Sequence, residues 1–425
     1  MAKWWQGKHV RLDPLDHDML AGSRGDGTAL AMRILVKTAR ILGAEELIDI
    51  HSSHIDGCLY HGDSGAIFAE KLVTTGAKAC VPTTLNVGAL DLLHGGRVRL
   101  AAEARDMARR MMSAYIAMGC QPTWTCAPYQ AGHRPAVGQD VAWGESNAVA
   151  FCNSVLGART NRYGDFLDIC AAVTGRAPRT GLHLPDQRVA TILIDATQLP
   201  RAFAEQDIAY PIIGTWLGRE VGSSVAAFAG LGHPTEDQLK ALGAAAASSG
   251  SVGLFHVIGV TPEAATHEMA FGNEAPKEII SLTADMLSQA RATLSTVNLS
   301  AGDQIDAVAI GSPHLSATEL RLLDTTLANR QCKVPLYACT GRHSLATIAR
   351  EGIEERLTAC GVVFIADTCI VVTPILPMGG GVLVTNSGKF AHYTPANTGY
   401  DVVFASLDDC VDSAVAGRLQ LRRLQ

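Results

Sequence analysis

The sequence predicts an α/β fold in which parallel sheets are covered by helices around a crevice. Three observations carry that prediction. From residue 251 onward, short apolar runs alternate with longer amphipathic runs, the pattern of strands and crossover helices. Polar loops follow the carboxyl ends of the predicted strands, where open parallel sheets form ligand crevices. Hydrophobic residues make up 48% of the chain, with 41 Gly and only 5% aromatic residues, which suits large cores of closely packed helices. At roughly 100–200 residues per domain, the chain length predicts several domains. The expected divisions are 1–205, 206–300 and 301–425.

Residues 28–42 carry apolar side chains at helical spacing, closed by Gly43. A strand is predicted over 47–50, then a polar loop from His51 to Asp63. A helix over 66–74 and a strand over 79–81 precede the polar segment Pro82-Thr83-Thr84-Leu85-Asn86. Residues 100–118 form a long helix whose Met107, Met111, Tyr115 and Met118 share one buried face. Helices are predicted over 146–155 and 166–173, and a strand over 189–194. Residues 210–222 are apolar and Gly-containing, and their pattern is ambiguous. Strands over 253–258, 307–310, 335–338 and 362–365 alternate with helices over 277–294, 317–328 and 344–360.

The net charge is −6 without a basic block, so nucleic acid is excluded as a partner. No stretch reaches membrane-spanning length; the apolar run over 362–375 contains Asp367 and Pro374. The first ten residues hold Trp4 and Trp5 but no apolar signal-peptide core. Eleven scattered cysteines without a paired CxxC argue for reduced thiols in the cytoplasm. Cys152, Cys170 and Cys410 lie in predicted helices and read as small core residues.

Two cysteines stand apart. Cys126 lies in Thr125-Cys126-Ala127-Pro128-Tyr129, and Cys369 ends an apolar run in Ala366-Asp367-Thr368-Cys369. Thiolates at strand ends suit metal or iron–sulfur ligation, and an iron with an open position is a Lewis acid that helps hydroxide leave. Two unrelated free thiols are the bland alternative. Glu145 and Ser146 precede an apolar helix, where they either cap it or hold substrate and move a proton. In Asn386-Ser387-Gly388-Lys389, either backbone amides and Lys389 receive an anion or the segment is a β-turn with a solvated lysine. Asn86 is a turn residue or a hydrogen-bonding ligand contact. Gly379-Gly380-Gly381 lacks the GxGxxG and P-loop patterns, so a nucleotide cofactor is not expected. His54, His61, His314 and His392 fall in these loops without a metal-site spacing.

Taken together, these segments resemble the large subunit of the aconitase X family. The resemblance rests on His54-Ile55-Asp56-Gly57, Val81 to Asn86, Thr125 to Tyr129, Trp143 to Ser146, Asn153 to Arg162, Gly175-Arg176 with Pro178 and Gly181-Leu182-His183, Asp367-Thr368-Cys369 and Thr385 to Lys389. It implies an aconitase-like multidomain architecture and a cytoplasmic hydro-lyase. The family's two activities are dehydration of cis-3-hydroxy-L-proline to 1-pyrroline-2-carboxylate and dehydration of (R)-5-phosphomevalonate. By resemblance, Cys126 and Cys369 are ligands of an iron–sulfur cluster. Gly57, Cys58, Leu59, Asn86, Val87, Glu145, Ser146 and Lys389 match substrate-binding positions, with Glu145, Ser146 and Lys389 as the catalytic candidates.

The sequence departs from the archaeal pattern at two points. A third cysteine of that pattern, in Gly-Cys-Pro-His, is Ser312 here, and the archaeal Gly-Val-Ser loop is Gly57-Cys58-Leu59. Cys58 is therefore the expected third ligand, with Cys339 and Ser312 as rivals. A 2Fe–2S cluster is expected, and 3Fe–4S and 4Fe–4S are the alternatives. The departures favour the hydroxyproline activity over phosphomevalonate. The chain opens almost at once on the large-subunit pattern, so a separate small subunit with the swivelling aconitase-like domain, bringing a catalytic serine, is the expected partner. An iron–sulfur sensor or scaffold without enzymatic activity is the non-enzyme reading.

Overall fold

A computed structural model describes residues 10–422; Trp4 and Trp5 lie outside the described residues. The first unit contains β1 (Leu47–Asp49), β2 (Ser53–Ile55), β3 (Thr83–Leu85), β4 (Ala142–Trp143) and β5 (Arg176–Pro178). β2 lies between β3 and β4 in a parallel sheet, and β1 pairs antiparallel with β5. The sequence reading placed β2 inside a loop and put a strand at 79–81 in place of β3. Both strands are polar and short, so alternation of apolar residues is missing. They are buried because their side chains satisfy one another. Ser53 Oγ donates to the Ala142 carbonyl at 2.7 Å, and His54 Nδ1 lies 2.8 Å from Thr84 Oγ1.

The second unit is a four-stranded parallel sheet in the order β8-β7-β6-β9, with β6 at Ile192–Asp195, β7 at Ala226–Ala229, β8 at Phe255–Val257 and β9 at Glu278–Ser281. The division expected near residue 205 passes between β6 and β7, two neighbours in this sheet. The helix expected over 277–294 begins later, at Ala284–Ala292, capped by Thr283, because Ile279 and Ile280 enter the edge strand β9. The ambiguous segment is a helix, Ala209–Val221, packed against Glu236–Ser249. Its glycines make that packing close: a Cβ on Gly214 would lie 2.2 Å from the Leu242 carbonyl oxygen.

The third unit is a five-stranded parallel sheet in the order β12-β11-β10-β13-β14, with β10 at Ala307–Leu315, β11 at Leu336–Thr340, β12 at Val362–Ile365, β13 at Val382–Thr385 and β14 at Asp401–Phe404. The helix expected over 344–360 is two helices, Arg342–Arg350 and Ile353–Ala359, broken before Ile353. Side chains of this unit enter two other cores. Ala309, Cys339, Ile365 and Phe390 join the core of the first unit, and Ala391, Val402 and Phe404 join that of the second. Parallel sheets need cover on both faces, and the neighbouring units supply part of it.

Gly214→Ala is expected to destabilise the protein by about 1–3 kcal/mol, because backbone stands where the new methyl must go. Thermal and urea denaturation followed by circular dichroism check this.

Candidate functional site

The carboxyl ends of the first and third sheets face one another, and their loops carry the polar residues singled out from sequence. β2 runs into Asp56-Gly57-Cys58, β3 into Asn86-Val87 and β4 into Gly144-Glu145-Ser146. From the opposite sheet, β12 delivers Asp367-Thr368-Cys369 and β13 delivers Asn386 to Lys389. Direct bonds join the two sets. Gly88 N donates to the Asp367 carbonyl at 2.7 Å, Leu92 N to Asp367 Oδ2 at 3.2 Å, and Ala366 N to Asp91 Oδ2 at 3.2 Å.

At the centre, Lys389 Nζ contacts Glu145 Oε1 in a pair with little exposure. Glu145 also caps the helix Ser146–Phe151, accepting from Ala148 N at 2.6 Å. Burial raises the Glu145 pKa, but Lys389 and the backbone amides outweigh it and hold the carboxyl below its ordinary value. Burial likewise opposes the Lys389 charge, but Glu145 and Cys126 outweigh it and hold the ammonium above its ordinary value. The pair is therefore ionic at neutral pH. Ser146 Oγ lies 3.4 Å from Glu145 Oε1. The segment ending in Lys389 is the start of the helix Gly388–Thr398, capped by Ser387. Glu145 thus caps a helix and also holds a site lysine, combining two roles read as alternatives.

The sulfur atoms come next. His314 N donates to Cys126 Sγ at 3.3 Å, and Asn147 Nδ2 to the Cys126 carbonyl at 3.0 Å. Burial and then Glu145 push the Cys126 thiol up to about 12, opposed by Lys389. Cys369 is held below its ordinary value although burial acts the other way: the Cys339 thiol, the Val371 amide, Lys389 and Ser312 all favour its thiolate. Cys339 is pushed up, by burial and by Cys369. Cys126, Cys339 and Cys369 are mutually within electrostatic reach, with Ser312 beside Cys369. Among the described residues, no three or more Cys, His, Asp or Glu side chains are grouped closely enough for a single bound metal ion.

The Cys58 thiol is engaged by backbone carbonyls. It is fully buried, and donates to the carbonyls of Asn86 at 3.3 Å and Ile55 at 3.4 Å. Burial, then Asp56 and Asp168, push its pKa well up, so its surroundings favour a neutral thiol over a thiolate ligand. The expectation that Cys58 replaces a lost ligand rests on one cysteine missing and one present, which carries no information on which way the loop turns its side chain. Gly57 donates to Asp168 Oδ2 at 3.2 Å and its carbonyl accepts from Tyr115 at 2.9 Å, while Leu59 and Val87 are buried behind the loop.

Four residues were missed as parts of the site. Asp56 accepts from Asn86 Nδ2, and burial with the nearby Glu145 raises its carboxyl to about 6. Asp168 accepts the backbone N–H of Asp56 at 2.6 Å and is pushed up to about 7, mainly by burial. A Cβ on Gly144 would stand 2.7 Å from Asp56 Cβ, so β4 can approach these carboxyls only with glycine there. His314 is a neutral imidazole, lowered to about 4 by burial; its Nε2 lies 3.1 Å from the Thr368 carbonyl and its Nδ1 3.0 Å from Thr125 Oγ1. Asp168 sits in an apolar helix and Asp56 in a polar loop, and the one usable signal was an acid interrupting an apolar run. A cavity of about 630 Å³ opens elsewhere, between the second and third units; it reaches Ser312 and Ser387 but not Cys126, Glu145 or Lys389.

The geometry agrees with comparison to known proteins. Models of the aconitase X first, second and third domains match residues 9–186, 190–292 and 305–416. The chain belongs to the aconitase X family. It is 43% identical to a cis-3-hydroxy-L-proline dehydratase of Pseudomonas aeruginosa over 96% of the chain and 70% of that protein. It is 38% identical to a phosphomevalonate dehydratase large subunit of Methanothermobacter thermautotrophicus over 93% of the chain and 96% of that protein. The crystal structure of Thermococcus kodakaraensis aconitase X in its holo-form superposes with a TM-score of 0.85 at 32% identity, covering 95% of this chain and all of that one. The fold is therefore aconitase-like, and the chain is a hydro-lyase of this family.

Lys389→Met is expected to destabilise the protein at pH 7 by about 3–5 kcal/mol, by stranding a buried carboxylate. With Lys389 present the Glu145 pKa is depressed, so its stabilisation exists above about 4.5 and is lost as pH falls through the folded value. In the variant, protonation relieves the stranded charge. The deficit should therefore shrink on acidification, as urea denaturation at pH 7 and pH 4 would show.

Proposed function

We propose that the chain is the large subunit of an iron–sulfur dehydratase that converts cis-3-hydroxy-L-proline to 1-pyrroline-2-carboxylate. The observation that carries the chemistry is the interacting Cys339 and Cys369 thiols, with Cys126 within electrostatic reach of both, beside the Lys389–Glu145 pair. The hydroxyproline substrate is supported by 43% identity to the Pseudomonas enzyme against 38% to the Methanothermobacter large subunit, and by Ser312 replacing a thiol of the archaeal pattern. Relatives named as large subunits support a small-subunit partner. Among the described residues no helix is long and apolar enough to cross a membrane. The unpaired cysteines support a reducing, cytoplasmic setting.

The donor set fits an iron–sulfur cluster, which we take to be of the 2Fe–2S type: three buried sulfurs, one already held toward its thiolate and one accepting a backbone N–H. Cys126 and Cys369 would hold it, with Cys339 as the third ligand in place of Cys58. Bound there, the cluster supplies a Lewis acid for the departing hydroxyl. The protein does the rest. Lys389 keeps its proton and offers N–H donors to the substrate carboxylate. Glu145 fixes that ammonium in place, and Ser146 adds a hydroxyl beside it. A serine of the small subunit accepts the proton from C2 while hydroxide leaves C3, and the resulting enamine tautomerises to the cyclic imine. Fixed orientation in a water-poor crevice supplies much of the barrier reduction.

Two measurements test the proposal. Anaerobic co-expression with the small subunit should give a complex that turns over cis-3-hydroxy-L-proline and not (R)-5-phosphomevalonate; the reverse preference would reassign the substrate. A complex inactive on both that binds a partner in a redox-dependent way would instead be the sensor. In the same preparation, Cys126→Ser, Cys369→Ser and Cys339→Ser should each lower bound iron, while Cys58→Ser leaves it unchanged. Iron loss in Cys58→Ser with full retention in Cys339→Ser would reverse the ligand assignment.

A further inference from the structure

Asn86 is 3% exposed, and its amide is only half used. Its Nδ2 donates to Asp56 Oδ1, whereas Oδ1 is a buried acceptor without a hydrogen-bond partner among the described residues. A buried carbonyl left so costs about 1–3 kcal/mol, which a ligand donor would recover. Because a carboxylate only accepts, Asp56 fixes which end of the amide it faces, and the oxygen is left for the ligand. Asp56 is in turn held by its own backbone: Asp168 Oδ2 accepts the N–H of Asp56 and of Gly57.

Charge points the same way. The Lys389 ammonium is matched by Glu145. Asp56 has Glu145 and Asp165 as like-charged neighbours and only Lys389, already paired, as an opposing one. Asp56 therefore stands among surplus negative charge, with the paired Lys389 also within electrostatic reach. Such a site is complementary to a zwitterion, with the carboxylate toward Lys389 and a protonated amine toward Asn86 and Asp56.

We propose that Asp56 is a positioning residue that orients Asn86 so that its Oδ1 receives the N–H of a substrate's ring ammonium. This inference rests on the hydroxyproline reading and states how that site would hold the ring nitrogen. Asp56 acts through Asn86, so the two side chains form one unit.

The test compares two ring acids of the same shape on the assembled holoenzyme by calorimetry: L-proline, with an N–H donor, and tetrahydrofuran-2-carboxylate, with an ether oxygen there. The unmodified enzyme should bind L-proline about tenfold or more tightly than the ether, the scale of one hydrogen bond to a charged group. Asp56→Asn, nearly isosteric, should lose about tenfold for L-proline and leave the ether within about twofold. Asn86→Ala should show the same selective loss, and the double variant no further loss, because the two act together. Under turnover, Asp56→Asn should raise KM more than it lowers kcat. Equal weakening of both acids, no discrimination by the unmodified enzyme, unchanged binding in Asp56→Asn, or additive losses in the double variant would each overturn the proposal. Preserved discrimination without turnover of cis-3-hydroxy-L-proline would sink the dehydratase reading and leave this subsite standing.

Discussion

The site depends on one buried imidazole that spans two loops from different units. His314 takes the Thr125 hydroxyl on one ring nitrogen and the Thr368 carbonyl on the other. Those two residues immediately precede Cys126 and Cys369. Burial keeps the ring neutral, so one nitrogen must donate and the other accept, and this matches a carbonyl on one side and a hydroxyl on the other. The His314 backbone N–H then goes to Cys126 sulfur. One residue thereby relates the two cysteine loops, 243 positions apart in the chain, through hydrogen bonds at both ring nitrogens.

A second clasp sits beside it. Glu145 ends β4 and Lys389 follows β13, so their ion pair joins the carboxyl ends of the two sheets. Each residue stands at the start of a helix, where the backbone places it with little freedom. A buried pair of this kind contributes little net stability compared with apolar packing. Its retention fits a site that needs a charged donor held in a fixed place. The second unit serves that fixation at one remove: a Cβ on Gly388 would lie 2.9 Å from Ala245 Cβ, so the Ala-rich helix 236–249 abuts the start of the lysine's helix. Lys240 of the same helix contacts Glu319 of the third unit, a further tie between the two.

The C-terminal sheet was legible in the sequence because its strands are apolar and its helices amphipathic, so period and polarity agree. Cys369 and Lys389 were legible for the same reason, as polar ends of apolar runs. The first sheet was not. Ser53, His54 and Thr84 are buried strand residues with hydrogen-bond partners far along the chain, and a one-dimensional pattern carries no record of those partners. The surroundings of Cys58 were not legible for a related reason: residue type survives in the sequence, but side-chain direction in a tight loop does not.

The same logic explains why Asp56 and Asp168 were invisible as a unit. Asp168 lies within the apolar run Leu167-Asp168-Ile169-Cys170, where a helix surface would be the ordinary home of an acid. Instead it is fully buried and occupied by three backbone N–H groups, from Asp56, Gly57 and Ile169. Those bonds shape the loop that presents Asp56 to Asn86. An acid devoted to backbone amides does structural work that hydrophobic side chains cannot do, because it must turn a chain carrying unpaired N–H groups at a strand end. The polar interior of the first unit is therefore the means by which a three-residue strand ends in a fixed, chemically useful loop.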